Sequence, residues 1–190
     1  MPTCLIIGGS RGLGLALAQS LHGRNYRVYA TVRSTPAPGT FPTEVTVIDG
    51  IDLNEEDAGK KIVSGLPENV KLDLVIFNAG LIKKETFNKP DFAGQIDMYK
   101  TVAIAPLFVA HHLHKMFAEP SKFAIITSEG GSITLRTKEE GGGMFGHHGS
   151  KAAANMVGKL LAIEFENEKK AITVAMIHVG CVPCTVTGDS

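Results

Sequence analysis

The sequence predicts one domain with a doubly wound parallel α/β fold: a central sheet between two layers of helix. Three observations predict it. Short apolar runs alternate with helical stretches along the whole chain, the pattern of a parallel sheet covered by crossover helices. A glycine-rich turn, Gly8-Gly9-Ser10-Arg11-Gly12-Leu13-Gly14, joins the first apolar run to the first helical stretch. The length, 190 residues without an internal repeat, suits a single sizeable core over 1–190.

The first strand is expected over 3–8, where Cys4-Leu5-Ile6-Ile7 is continuously apolar and too short for a buried helix. A helix follows over 12–23. The second strand is expected over 26–32. The stretch from Ser34 to Pro42 is rich in proline and excludes a helix before the third strand at 45–48. A helix over 54–65 leads to a strand at 72–77, a helix over 92–117 to a strand at 122–127, and a helix over 148–168 to a strand at 172–178. Right-handed crossovers then place a ligand at the carboxyl ends of the strands. The segment Glu129–Gly146 is a long loop at such an end, where loops carry function.

Strand, glycine turn, helix is an arrangement that binds pyrophosphate, because free N–H groups and the helix dipole point at the anion. The glycines serve a tight turn, a close backbone approach and close helix–strand packing. Gly8, Ser10, Arg11, Gly12, Leu13 and Gly14 are therefore candidate cofactor-binding residues. An NAD site needs an acid at the end of the second strand for the ribose 2′-OH. Here that strand ends Tyr29-Ala30-Thr31-Val32-Arg33-Ser34, without a carboxylate. Arg33 and Arg11 suit a 2′-phosphate in charge and planar geometry, so NADP is the expected cofactor.

Nineteen basic and nineteen acidic residues balance, which gives no electrostatic case for a nucleic-acid or anionic-membrane partner. The apolar runs are too short to span a bilayer. The first strand begins almost at once, leaving no space for a signal peptide. Three cysteines, Cys4, Cys181 and Cys184, are too few for a disulfide framework, so a reducing, cytoplasmic location is expected. Cys181-Val182-Pro183-Cys184 has redox or metal spacing, but no second cysteine pair completes a tetrahedral site. His111, His112 and His114 do not share one helix face, and no metal is expected there.

These features resemble the short-chain dehydrogenase/reductase family, over almost the whole chain. The family's glycine motif matches Gly8, Gly12 and Gly14. Its Asp-plus-hydrophobic pair, which holds the adenine, matches Asp52-Leu53. Its Asn-Ala-Gly matches Asn78-Ala79-Gly80, and its catalytic serine matches Ser128 after Ile125-Ile126-Thr127. The helix signature Tyr-x-x-x-Lys falls on His147-His148-Gly149-Ser150-Lys151. Gly131-Ser132-Ile133 and Ala152 to Met156 are most similar to the branch of small carbonyl reductases and C-factor-like proteins. The resemblance implies a Rossmann fold, an NADP-dependent oxidoreductase acting on a small carbonyl or alcohol, and catalytic residues Ser128, His147 and Lys151. The resemblance also implies that Lys151 touches the nicotinamide ribose.

The departures from the family concern the chemistry. His147 stands at the tyrosine position, and Tyr26, Tyr29 and Tyr99 offer no replacement. Val102 falls where the family carries the asparagine that holds a proton-relay water. Val179-Gly180 replaces Pro-Gly, and the sequence ends at Ser190 where the family continues, so a shorter C-terminus is expected. His147 and Lys151 share a helix face at i, i+4, so an imidazole can occupy the phenol's place. A nearby ammonium lowers the histidine pKa and leaves a neutral imidazole, a weaker acid, unless Ser128 or His148 assists. Two other readings stand beside the reductase: an NADP-binding sensor or scaffold without turnover, and an isomerase or lyase using His147 as base. The alanine-rich helix over 148–168 carries apolar residues on more than one face, from which a homodimer is expected.

Overall fold

The computed structural model describes residues 1–180. Six parallel strands form one sheet: β1 (Thr3–Ile7), β2 (Arg27–Thr31), β3 (Thr46–Ile48), β4 (Leu72–Phe77), β5 (Phe117–Thr127) and β6 (Ile172–His178). Their order is β3-β2-β1-β4-β5-β6. The direction of winding reverses between β1 and β4, so the crevice for a ligand opens at the carboxyl ends of those two strands. The helices are α1 (Gly12–Gly23), α2 (Ala58–Ser64), α3 (Phe92–Tyr99), α4 (Ala105–Leu113) and α5 (Phe145–Asn167).

The two faces of the sheet are covered unequally. On one, α2, α4 and α5 close a large core through Leu5, Val75, Phe77, Val109, Leu113, Phe123, Leu161 and Phe165. Phe117 packs edge-on against both Phe123 and Phe165, at centroid distances of 6.0 and 5.9 Å, which ties α5 to β5. On the other face α1 covers a smaller cluster of Cys4, Ile6, Ala18, Val28, Ala30 and Ile76. Burial pushes the Cys4 thiol up to about 12, which makes it inert. No helix stands between β2 and β3, as the prolines dictate; Phe41 and Val45 pack there onto the α1 cluster.

The largest differences from the sequence expectation fall in three elements. The helix expected over 92–117 is α3, a π-helical segment Lys100–Ile104, and α4. Pro106 causes the break: it has no N–H for the carbonyl of Val102, and the ladder widens, with Ala105 N bonding to Lys100 O. The strand expected from 122 starts at Phe117, paired to Leu72 across a register shift. The helix expected from 54 starts at Ala58, because the Asp52 side chain accepts from Asn54 N at 2.9 Å and holds a turn there. Cys181 and Cys184 lie outside the described residues.

Candidate active site

The glycine turn is built by close approach. A methyl on Gly8 would lie 2.7 Å from Ala79 Cα, and Gly8 itself has φ +86°. A methyl on Gly14 would strike Gly8 O and lie 2.6 Å from Asn78 Nδ2. Bare glycine at both positions therefore lets β1, α1 and Asn78-Ala79-Gly80 meet. Asn78 Nδ2 donates to Gly8 O at 2.8 Å, and Asn78 N and Ala79 N donate to Ile7 O at 3.0 and 2.9 Å. Thr31 closes the other side: its Oγ1 accepts from Gly8 N at 3.1 Å and its carbonyl from Gly9 N at 2.9 Å.

With those N–H groups satisfied, the donors left for an anion lie farther round the turn. Gly12, Leu13 and Gly14 precede the first bond of α1, from Leu15 N to Arg11 O at 3.4 Å. The first turn of α1 carries no acidic residue. Ser10, Arg11 and Arg33 are exposed at this end of the sheet. Among the described residues neither arginine enters a salt bridge. Asp52 is half-buried and Leu53 buried beyond β3. Asn54, two residues on, accepts from Thr101 Oγ1 at 3.0 Å and links this loop to the π-helical segment.

Across the crevice α5 carries the titratable groups. Lys151 is only 8% exposed and donates from Nζ to Ile126 O at 2.8 Å. Burial pulls its ammonium down to about 8. A methyl on Gly80 would lie 3.8 Å from Lys151 Nζ and 3.9 Å from Val102 Cγ2, so both side chains approach Gly80. Val102 is buried and gives this corner an apolar wall. His147 lies in the first turn of α5, with Nδ1 buried and unpartnered. Burial first, then the Lys151 ammonium and His148, hold its pKa below the usual histidine value. Both causes favour the neutral imidazole, and burial outweighs the lysine.

Ser128 reaches the same helix through a 3₁₀ turn, Glu129–Gly131. Its Oγ accepts from Gly130 N at 3.1 Å, leaving the hydroxyl hydrogen free to donate. A methyl on Gly131 would lie 2.7 Å from the Lys151 carbonyl carbon, so the turn lies flat on α5. Thr127 Oγ1 donates to Asn155 Oδ1 at 2.7 Å and locks strand to helix. Tyr99 packs its hydroxyl on Gly149, about 200° around the helix from His147, and does not reach the face that carries His147 and Lys151.

Local sequence reading misses Glu85. Its buried carboxylate accepts from Asp91 N at 3.0 Å, Gln95 Nε2 at 2.9 Å and Gly146 N at 2.6 Å. These bonds hold its pKa below the usual carboxylate value. Its carbonyl accepts from Met144 N at 3.2 Å. Glu85 thus caps the start of α5 from a distant loop and fixes the turn that carries His147. Its only local signal is one acid in a basic loop. Thr31, Asn155 and the pair Gly130-Gly131 are missed for the same reason, since their partners are remote.

A parallel sheet in this order, with a glycine turn at its switch point and a lysine on the facing helix, defines a Rossmann-like α/β protein. Residues 2–190 match the family model of the short chain dehydrogenases, and the chain belongs to that family of oxidoreductases. It is 29% identical over 190 residues to the 1-hydroxy-2-glutathionyl-2-methyl-3-butene dehydrogenase of Rhodococcus sp. (strain AD45), covering 100% of this chain and 81% of that one. A carbonyl reductase from Pseudomonas aeruginosa PAO1 superposes with a TM-score of 0.81 at 28% identity, covering 95% of this chain and 84% of that one. A short-chain dehydrogenase/reductase from Burkholderia multivorans with bound NADP superposes with a TM-score of 0.78 at 25% identity, over 93% and 77%. Among the described residues no helix is long and apolar enough to cross a membrane. Nor does any group of three or more His, Cys, Asp or Glu among them suit a metal ion.

Proposed function

We propose that the chain is an NADP(H)-dependent oxidoreductase acting on a small carbonyl or alcohol compound, with His147 in the place of the family's tyrosine. The observation that carries this reading is the meeting of Gly80, Lys151 and the Ser128 turn on α5, opposite the glycine turn. The residues present fit a dinucleotide. The N–H groups of Gly12, Leu13 and Gly14 suit the pyrophosphate. Arg11 and Arg33 suit a 2′-phosphate, and no acid at the end of β2 competes for it. Asp52 and Leu53 serve the adenine end, and Asn78, Ala79, Gly80 and Lys151 the nicotinamide end. The bound cofactor supplies or accepts the hydride. Ser128, its oxygen oriented by Gly130 N, donates its hydroxyl hydrogen to the substrate oxygen. The neutral His147 imidazole adds a second, weaker donor.

A dissociation constant for NADPH at least tenfold below that for NADH is expected by calorimetry, and Arg33→Asp should reverse the order. Equal constants in the unmodified protein contradict the assignment of Arg11 and Arg33. A second reading, an NADP(H)-binding sensor or scaffold, is favoured by one observation. Val102 places a buried methyl beside Gly80, which Lys151 Nζ also approaches, where a proton path would need a polar group. Turnover separates the two readings, because a sensor binds NADPH and oxidises it with no aldehyde or ketone.

We also propose that two copies of the chain pair through the outer face of α5. Val157 and Leu161 pack inward, whereas Met156, Leu160 and Ile163 are 59%, 52% and 37% exposed. An isologous contact through this face would cover them.

A further inference from the structure

We infer that His148 is the positioning residue of Ser128, a proton acceptor whose Nε2 serves the serine hydroxyl across the gap above Gly130. The assignment deepens the site described under Proposed function and rests on that reading for its chemistry alone.

The geometry comes from three contacts. A methyl on Gly130 would lie 2.6 Å from His148 Cδ2, 3.1 Å from His148 Nε2 and 3.3 Å from Ser128 Oγ. Imidazole Nε2 and hydroxyl oxygen thus both approach one point beside the bare Cα of Gly130, which places them on the same side of the turn, and the proposal joins them through one water molecule. Ser128 Oγ already accepts from Gly130 N at 3.1 Å, so the group it still offers is its hydrogen. His148 Nδ1 lies 3.2 Å from Gly143 O. A carbonyl only accepts, so Nδ1 carries the hydrogen, and in the uncharged form of the ring the lone pair is on Nε2. The ring nitrogen facing Ser128 is therefore the acceptor its hydroxyl needs.

The adjacent histidine differs in each respect. The rings of His147 and His148 are edge to face at a centroid distance of 5.4 Å. The Nδ1 of His147 is buried without a partner, so nothing fixes its tautomer. The two histidines divide the work: His147 borders the lysine, and His148 borders the serine. In alcohol oxidation the substrate hydroxyl proton passes to Ser128 Oγ while the serine's own hydrogen passes through the bridging water to His148 Nε2, leaving a charged imidazolium. In reduction the imidazolium returns its Nε2 hydrogen by the same water to Ser128 Oγ as Ser128 gives its own to the substrate oxygen. The hydride is exchanged with the nicotinamide dinucleotide of the proposed function, so charge and atoms balance. The long loop before α5 contributes one carbonyl, Gly143 O, and thereby sets the tautomer.

The test is a long-range ¹H–¹⁵N imidazole spectrum of the full-length protein, with His148→Gln assigning the resonances. The expected result is a neutral His148 protonated at Nδ1, whose Nε2 resonance moves in Ser128→Ala and in Gly130→Ala while that of the remote His22 stays in place. Thermal melts confirm that both variants are folded, and Ser128→Thr, which keeps the hydroxyl, should restore the resonance. A His148 protonated at Nε2, or a resonance indifferent to both variants, overturns the assignment whether or not the protein is an enzyme. In the turnover assay, His148→Gln should lower kcat about a hundredfold with KM nearly unchanged. An unchanged kcat also overturns it. Absence of all carbonyl turnover in the unmodified protein instead counts against the proposed function, and the spectrum still decides the role of His148.

Discussion

Gly14→Ala tests whether the glycine turn is held by close packing. Gly14 is the third residue of α1, and there an alanine should gain about 1 kcal/mol of helix propensity. Against this, the methyl would meet Gly8 O, lie 2.6 Å from Asn78 Nδ2 and 3.1 Å from the Gly8 carbonyl carbon. Two of these are backbone atoms of β1's end and cannot move aside alone. Overpacking of this kind costs about 1–3 kcal/mol. Displacing Asn78 breaks its 2.8 Å bond to Gly8 O, and an unmet carbonyl there costs about 1–3 kcal/mol. The balance is a loss of about 1–5 kcal/mol, centred near 3. For a domain of this size that lowers Tm by roughly 5–15 °C. Gly23→Ala is the control: it lies at the other end of the same helix, and an added methyl there meets nothing within 4 Å. Calorimetric melts should show Gly14→Ala destabilised and Gly23→Ala unchanged or slightly stabilised. NADPH affinity should fall only in the first. If Gly14→Ala melts at or above the wild-type temperature, the close approach of α1 to β1 is not as described.

Lys151 bears on pH. Its folded pKa, about 8, lies below the ordinary 10.5, so between these values the unfolded chain binds the extra proton and stability rises with pH. Denaturant titrations should show the native protein gaining up to about 3 kcal/mol over that window relative to Lys151→Met; parallel curves would place Lys151 in solvent. Glu85 acts in the opposite range: its depressed pKa gives stability that is present above the ordinary carboxylate pKa and lost as pH falls through the folded value. Glu85→Gln should flatten that acid limb and speed hydrogen exchange at Asp91 and Gly146, and unchanged exchange would deny it the capping role. Leu160→Lys should turn a dimer into a folded monomer by light scattering, and a wild-type monomer at micromolar concentration would refute the dimer itself.

Elements that depend on local pattern were legible in the chain. β4, β6 and α1 lie where periodicity and the glycine turn place them, because a buried strand or an amphipathic helix needs only its own residues to declare itself. The π-helical segment was not, although Pro106 signals it: a missing N–H can be met by a break, a kink or a wider ladder, and packing of Val102 and Thr101 chooses among them. α5 starts three residues before the position that its own pattern predicts, because its cap, Glu85, comes from another loop. The same division runs through the site. Gly8, Gly14, Asn78, Ser128 and Lys151 belong to recognisable motifs. Thr31, Asn155 and Gly130 owe their places to partners far away in sequence, which no local spacing encodes.

If Ser128, His147 and Lys151 form a working oxidoreductase site, a carbonyl compound must draw hydride from NADPH in their presence. The most direct measurement follows NADPH absorbance in the presence of a panel of aldehydes and ketones, with Ser128→Ala and Lys151→Ala as companions. At least one carbonyl compound should oxidise NADPH in step with alcohol formation, slowed about a hundredfold or more in each variant. Tight NADPH binding with no oxidation by any member of the panel would contradict the claim and leave a nucleotide-binding protein without carbonyl chemistry.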